Sequence, residues 1–94
     1  MARGTELNEL AQGFGLLSDA TRLGILKALA AGPRNVTALC KALGLKQPAA
    51  SHHLGLLRMG RLVVGTRKAK RVEYVTEATN LKALASGLAA LLPK

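Results

Sequence analysis

The sequence predicts a mainly α domain that carries a small β-hairpin, and three observations predict it. Apolar residues recur every three or four positions up to Met59 and again after Asn80, the period of helices with one buried side. Between Arg61 and Thr76 the pattern changes to β-branched and aromatic residues on either side of a basic turn. Gly, Pro, Asn and Ser stand at the joints. With 94 residues the chain forms one domain at most, and so small a core commonly completes its buried surface by oligomerising. At 49% hydrophobic and 20% charged residues it has the composition of a folded chain.

The first helix is expected over about 5–17, where Leu7, Leu10, Phe14 and Leu17 form one stripe and Gly13 and Gly15 weaken the last turn. Ser18 reads as the N-cap of a second helix, with Asp19 in its first turn where the helix dipole favours an anion. Leu23, Ile25, Leu26 and Leu29 form its inward stripe, and Gly32-Pro33 stops it. Asn35 caps a short third helix that ends at Leu43, with Gly44 as its stop. A fourth helix opens at Gln47-Pro48 and runs to Met59 before Gly60, covering about 47–59. The hairpin spans about 61–76, turning through Arg67-Lys68-Ala69-Lys70. Thr79 or Asn80 caps a last helix over about 80–92, with Leu81, Leu84, Leu88 and Leu91 in one stripe.

Two short helices joined through Leu43-Gly44-Leu45, then a hairpin and a final helix, is the order of a winged helix-turn-helix. The whole chain, 1–94, then reads as one such unit. The two leucine stripes at the ends are either ordinary core or an isologous two-fold interface, and the small size of the chain favours a homodimer built on Leu7, Leu10, Phe14, Leu81, Leu84, Leu88 and Leu91.

Fourteen Lys and Arg against five Asp and Glu give a formal net charge of +9. The acids are Glu6, Glu9, Asp19, Glu73 and Glu77, so Ala20 to Val72 contains none, while Arg22, Lys27, Arg34, Lys41, Lys46, Arg58, Arg61, Arg67, Lys68, Lys70 and Arg71 stand in that stretch. A solvated face does not explain so long a stretch without a compensating carboxylate; neutralisation of a phosphate backbone does. On the fourth helix Ala50, His53, Leu54 and Leu57 share one side and pack toward Leu39 and Leu43, leaving Pro48, Ser51, His52 and Gly55 opposite, with Gln47 at the margin. A helix that enters a major groove needs such small and polar residues outward, and Gln, Ser and His can bond to base edges. With only Phe14 and Tyr74 as aromatics, the stacking platforms of single-strand binders are lacking. Enzyme chemistry has no carboxylate pair, Ser/His/acid set or phosphate-cradling glycine loop to work with. One cysteine allows no internal disulfide, and no apolar run is long enough to span a bilayer, so a cytoplasmic protein without a membrane partner is expected.

Three segments resemble the ArsR/SmtB family of bacterial winged-helix repressors. Leu17-Ser18-Asp19-Ala20-Thr21-Arg22-Leu23-Gly24-Ile25-Leu26 is similar to that family's L-S-D-P-T-R-L-x-I-L opening. Leu43-Gly44-Leu45-Lys46-Gln47-Pro48-Ala49-Ala50-Ser51-His52-His53-Leu54 is similar to its L-G-L-S-Q-P-T-V-S-H-H-L signature, and Leu56 to Val63 to the segment leading into the wing. The resemblance covers roughly residues 7–92. It implies a nucleoid-associated homodimer whose terminal helices form the interface and whose recognition helices read a near-palindromic operator in double-stranded DNA, repressing by blocking polymerase. Gln47, Ser51 and His52 fall where the family contacts bases; Arg67, Lys68, Lys70 and Arg71 fall in the wing, with Lys46 and Arg58 as further backbone contacts. Lys46 replaces a capping Ser, which a nearby phosphate would make tolerable. Ala49 and Ala50 replace Thr and Val, and Ala69 stands where the wing turn often has Gly, implying a looser turn.

Many members of the family respond to metals. The Cys-x-Cys positions of one such site hold Asn35 and Thr37 here, and Ala78 to Lys94 has no Asp, Glu, His or Cys for another, so no metal and no cofactor are expected. His52 and His53 diverge by about 100° on a helix and do not chelate together. His53 reads as a partly buried, hydrogen-bonded core histidine. Cys40 reads as a small hydrophobe on the stripe of Val36 and Leu43. No small-molecule effector is legible. The alternative to a sequence-specific regulator is an architectural DNA- or RNA-binding protein that uses the same basic surface without reading sequence.

Overall fold

The computed structural model describes the backbone from Ala2 to Lys94 and side chains from Glu6 onward. Five helices and three short strands follow in the order α1 (Ala2–Leu17), α2 (Ala20–Ala30), β1 (Arg34–Asn35), α3 (Val36–Leu43), α4 (Gln47–Met59), β2 (Val63–Lys68), β3 (Arg71–Thr76) and α5 (Ala78–Ala89). This is mainly α with a small antiparallel sheet, as the periodicities require. Ile25, Leu39, Leu54, Leu57, Leu62 and Val63 are fully buried, so the core is where α2, α3 and α4 meet the base of the hairpin. Leu10, Phe14, Leu16, Leu17 and Leu81 pack half-buried around it.

The helix-turn-helix forms for local reasons. The Asn35 Oδ1 accepts from the Ala38 N–H at 2.8 Å, satisfying one of α3's free donors. Gly44 ends α3 at φ 67, a left-handed conformation that a side chain would strain. Pro48 sits in the first turn of α4, and Lys46 precedes that helix with no side-chain cap bond.

Several joints differ from expectation. Asp19, not Ser18, is the N-cap of α2: its Oδ2 accepts from the Arg22 N–H at 3.0 Å, while the Ser18 Oγ donates back to the Gly15 carbonyl at 2.7 Å. Both residues are cap formers, and the chain uses each for a different helix end. Leu23 is half exposed, because it lies about 160° around the helix from Ile25. After α4 the left-handed residue is Arg61, at φ 60, whereas Gly60 keeps a negative φ and makes room for a Leu16 methyl group that leaves no space for a Cβ. Asn80 does not cap α5; its Nδ2 donates to the Arg61 carbonyl at 2.8 Å and holds that strained joint. α5 starts at Ala78 and ends at Ala89, so Leu91 lies beyond the helix.

The sheet has three strands in the order β1-β3-β2, not two. β1 is only two residues long, pairing Arg34 with Tyr74 and Asn35 with Glu73. The turn is shorter than expected: Arg67 and Lys68 belong to β2, leaving Ala69-Lys70 between the strands. Ala69 adopts φ 55 in place of the glycine usual in such turns, so the turn is tight and strained, not loosened. Gly65 lies beneath Tyr74 and Val72, with the ring and a methyl carbon each 3.0 Å from where a Cβ would stand.

The terminal helices pack on each other within the protomer. Gly13 receives the Leu84 side chain and Gly87 receives Leu10, both within one chain, with no room for a Cβ at either glycine. These glycines serve contact between α1 and α5 of the same protomer.

Replacing Ala69 with Gly should raise stability by roughly 0.5 to 1 kcal/mol, because the left-handed conformation costs a non-glycine residue about 1 to 2 kcal/mol and glycine's extra chain entropy returns part of that. Chemical denaturation of the two proteins checks it; a variant no more stable than the parent would contradict strain at this turn.

Candidate nucleic-acid interface

Along α4 the buried side carries Ala50, Leu54 and Leu57, and this fixes what faces out. Gln47, Pro48, Ala49, Ser51 and His52 are all exposed, and Arg58 and Met59 are exposed in the last turn. No bulky side chain stands among the first residues of that outward face. Gln47, Ser51 and Arg58 fall within about 40° of one another on the helix, and His52 lies about 100° further round from Ser51. Lys46 and Arg58 are separated by nearly the whole helix, roughly 18 Å along its axis at 1.5 Å per residue. They cannot serve one phosphate together.

His53 turns the other way. Its Nδ1 lies 3.1 Å from Arg22 Nη1 and 3.8 Å from Asp19 Oδ2, and its side chain is only 19% exposed. A guanidinium donates only, so in this contact Nδ1 is the acceptor. His53 is thus a partly buried, hydrogen-bonded histidine tied to α2. Its ring meets that of His52 edge-on, with centroids 5.4 Å apart. Arg22 also donates from Nε to the Leu16 carbonyl at 2.7 Å and from Nη2 to the Gly15 carbonyl at 3.4 Å. Asp19 is held below its ordinary pKa of 3.8, first by the Arg22 backbone N–H it accepts from. Partial desolvation opposes this, and the Arg22 guanidinium, His53 and the Thr21 N–H add to the lowering.

The hairpin carries the remaining predicted residues. Arg67, Lys68, Lys70 and Arg71 are all exposed. Lys68 and Arg71 stand directly opposite each other across the strands, like charges that repel. Lys68 is partly neutralised by Glu73 at 3.4 Å. Lys70 and Arg71 share a cleft with Gln47 of α4, and the same cleft takes in Asn35, Thr37 and Lys41 of the β1–α3 segment and Tyr74 of β3. The structure therefore brings Gln47, Lys70 and Arg71 together, and leaves Arg58, Arg67 and Lys68 outside that group. Lys41, Thr37 and Tyr74 were not among the predicted site residues. The i, i+4 spacing of Thr37 and Lys41, on the side of α3 away from Leu39, is the signal that could have found the first two.

Of the residues predicted for a dimer interface, Leu84 is buried and Leu10, Phe14 and Leu81 are half-buried within the protomer. Leu7, Leu88 and Leu91 are 59%, 57% and 63% exposed, and the neighbouring Leu92 is 70% exposed. Cys40 is half-buried beside fully buried Leu39. Among the described residues no three His, Cys, Asp or Glu side chains come together, and no helix is long and apolar enough to cross a membrane.

Comparison with known proteins gives a consistent result. Residues 19–64 match the family model of bacterial regulatory proteins of the arsR family. The chain is 41% identical over 68 residues to the HTH-type transcriptional regulator NmtR of Mycobacterium tuberculosis, covering 72% of this chain and 57% of that protein. It is 44% identical over 62 residues to the arsenical resistance operon repressor of Escherichia coli K12, covering 65% and 53%. The chain thus spans little more than half the length of these curated relatives. Its fold superposes with a TM-score of 0.79, at 29% identity, on the homodimeric winged helix-turn-helix DNA-binding domain Mb0332 of Mycobacterium bovis, a possible ArsR-family transcriptional regulator, covering 94% of this chain and 82% of that one.

Replacing Asp19 with Asn tests the electrostatics of the α2 cap. Because folding lowers this carboxyl's pKa, its stabilising contribution is complete above the ordinary 3.8 and is lost as pH falls through the lower folded value. Asn still caps, so the variant's melting temperature should fall less steeply than the parent's as pH drops from about 5 to 2. Parallel curves would refute the assignment.

Proposed function

The chain belongs to the ArsR family of bacterial regulatory proteins, and on that footing we propose that it is a homodimeric, sequence-specific binder of double-stranded DNA that represses transcription by occupying its operator. The observation that carries this is the outward face of α4, with Gln47, Ser51 and His52 exposed at the end of the helix that adjoins the basic wing. In this reading α4 (47–59) enters the major groove, Gln47, Ser51 and His52 meet base edges, and the hairpin (61–76) lays Arg67, Lys68, Lys70 and Arg71 on the backbone. Lys46 at the uncapped start of α4 and Arg58 in its last turn take phosphates at opposite ends of the helix. The three uncompensated cations of the cleft and the facing like charges of the wing are relieved by a polyanion. The whole of 1–94 acts as one such unit on the bacterial chromosome.

The dimer rests on the terminal helices, within 5–17 and 80–92. Since Leu10, Phe14, Leu81 and Leu84 already serve the protomer's own packing, the partner copy meets Leu7, Leu88, Leu91 and Leu92, and the first three are the interface residues this reading retains in full. The relative from M. bovis is described as homodimeric and that from E. coli as an operon repressor, which supports both parts of the proposal. Two-fold symmetry places the recognition helices about one DNA turn apart, giving a near-palindrome with half-sites about 10 bp apart.

Selection from a random duplex pool at about 0.15 M salt, with the mass of the complex measured on the winner, should return such a palindrome bound by two protomers. Tight binding without enrichment would instead favour an architectural protein. On the selected site, His52→Ala should cost roughly 1 kcal/mol or more of preference over random DNA, whereas Arg67→Ala should weaken both alike. Equal loss on both duplexes for His52→Ala would remove that residue from base reading.

A further inference from the structure

We propose that the cleft between α3 and the wing is a phosphate site that seats one phosphodiester of the DNA strand, making α3 part of the nucleic-acid interface through Lys41 and Thr37. The inference rests on the DNA-binding reading above and extends it to residues outside the recognition helix and the wing turn.

The cleft holds about 570 Å³ and is built by three separate elements: Thr37 and Lys41 from α3, Gln47 from the start of α4, and Lys70, Arg71 and Tyr74 from the hairpin. Three cations converge there and no carboxylate lines it. Glu73, between the lining residues Val72 and Tyr74, is not itself part of the lining and is taken by Lys68 at 3.4 Å. Bringing Lys41, Lys70 and Arg71 into one concavity without a counter-charge costs energy in the free protein, and a bound anion relieves it.

Size and lining identify which anion. The cleft falls within the range of sites that take whole small molecules, roughly 300 to 1,000 Å³, and is more than a bare phosphate fills. Val36, Val72 and the Tyr74 ring give it apolar walls, suited to the sugars on either side of a phosphate. Gln47, which the reading above places against base edges, lines the same cleft, so a strand passing the N-terminal end of α4 runs through it. The Thr37 hydroxyl supplies a donor one turn before Lys41 on the same side of α3.

The test is the salt dependence of duplex affinity, measured by fluorescence anisotropy on the full chain with a fixed duplex. Lys41→Gln should lower the slope of log K against log salt by about 0.9, the loss of one phosphate contact, and weaken binding on the order of fivefold near 0.15 M salt. Thr37→Val should weaken binding without changing the slope. Lys82→Gln on α5, an exposed cation remote from the cleft, should change neither, and circular dichroism melting of each variant separates lost contact from lost fold. If Lys41→Gln leaves the slope unchanged while Arg67→Ala lowers it, the DNA reading stands and the cleft proposal is overturned. If the parent protein does not bind duplex at all, the DNA reading itself fails. A third arm titrates inorganic pyrophosphate in the absence of DNA: saturable binding abolished by Lys41→Gln, with the duplex slope unaltered, would reassign the cleft to a free anion and overturn the DNA assignment.

Discussion

The orientation of the outward face depends on the guanidinium of Arg22. α1 ends at Leu17 with unsatisfied carbonyls, and a cation belongs at that end of a helix. Arg22, one turn into α2, donates to the carbonyls of Gly15 and Leu16, so the end of α1 is fastened to the start of α2. Its remaining nitrogen reaches His53 on α4. One side chain therefore ties three helices, and Asp19 beside it caps α2 and supplies the counter-charge. Successive residues on a helix diverge by about 100°, so fixing His53 inward on Arg22 fixes His52 outward. The tie is an arrangement of hydrogen bonds to carbonyls and an imidazole, which constrains geometry more tightly than apolar contact alone.

That tie acts on a thin core. Among the described residues six large side chains are fully buried, and they come from α2, α3, α4 and the entrance to β2. The base of the wing is thereby part of the same packing as α4: Leu62 and Val63 are buried with Leu54 and Leu57, and Tyr74 lies against that cluster while its ring covers Gly65. β1 adds a second connection, pairing the residue that caps α3 with β3 through Asn35 and Glu73. Wing and helix-turn-helix are held in one frame, which is why residues 35, 41, 47 and 71, distant in sequence, line a single cleft.

Much of this was legible in the sequence, because burial on a regular element writes a period. The 3.6-residue repeat located the helices, Asn35 and Gly44 marked both ends of α3 by their local chemistry, and the uninterrupted basic stretch marked the charged surface. What escaped notice has other causes. A strand of two residues has no period to detect. Ser18 and Asp19 are both good caps, and only the tertiary position of Arg22 decides between them. Leu23 has the residue type of a core position, but its angle on the wheel places it outside. The glycine seats at Gly13 and Gly87 are pairwise contacts between the two ends of the chain, and no local pattern encodes them. The cleft beside α3 escaped for the same reason, since its cations lie some thirty residues apart.

In the proposed dimer the terminal helices constrain how two copies meet. Leu84 lying over Gly13 and Leu10 over Gly87 draw α1 and α5 of one protomer close enough that their stripes are already spent on each other. What remains exposed is apolar but displaced toward the ends: Leu7 near the start of α1, and Leu88, Leu91 and Leu92 at and beyond the end of α5. A partner that covers this surface meets α1 and α5 as one welded pair instead of prying between them. The pair is in turn joined to α4 at two points, by Arg22 acting through the end of α1 and by Asn80 of α5 holding the Arg61 carbonyl just after α4. The terminal pair is thus tied by hydrogen bonds both to the middle of α4 and to the joint just after it.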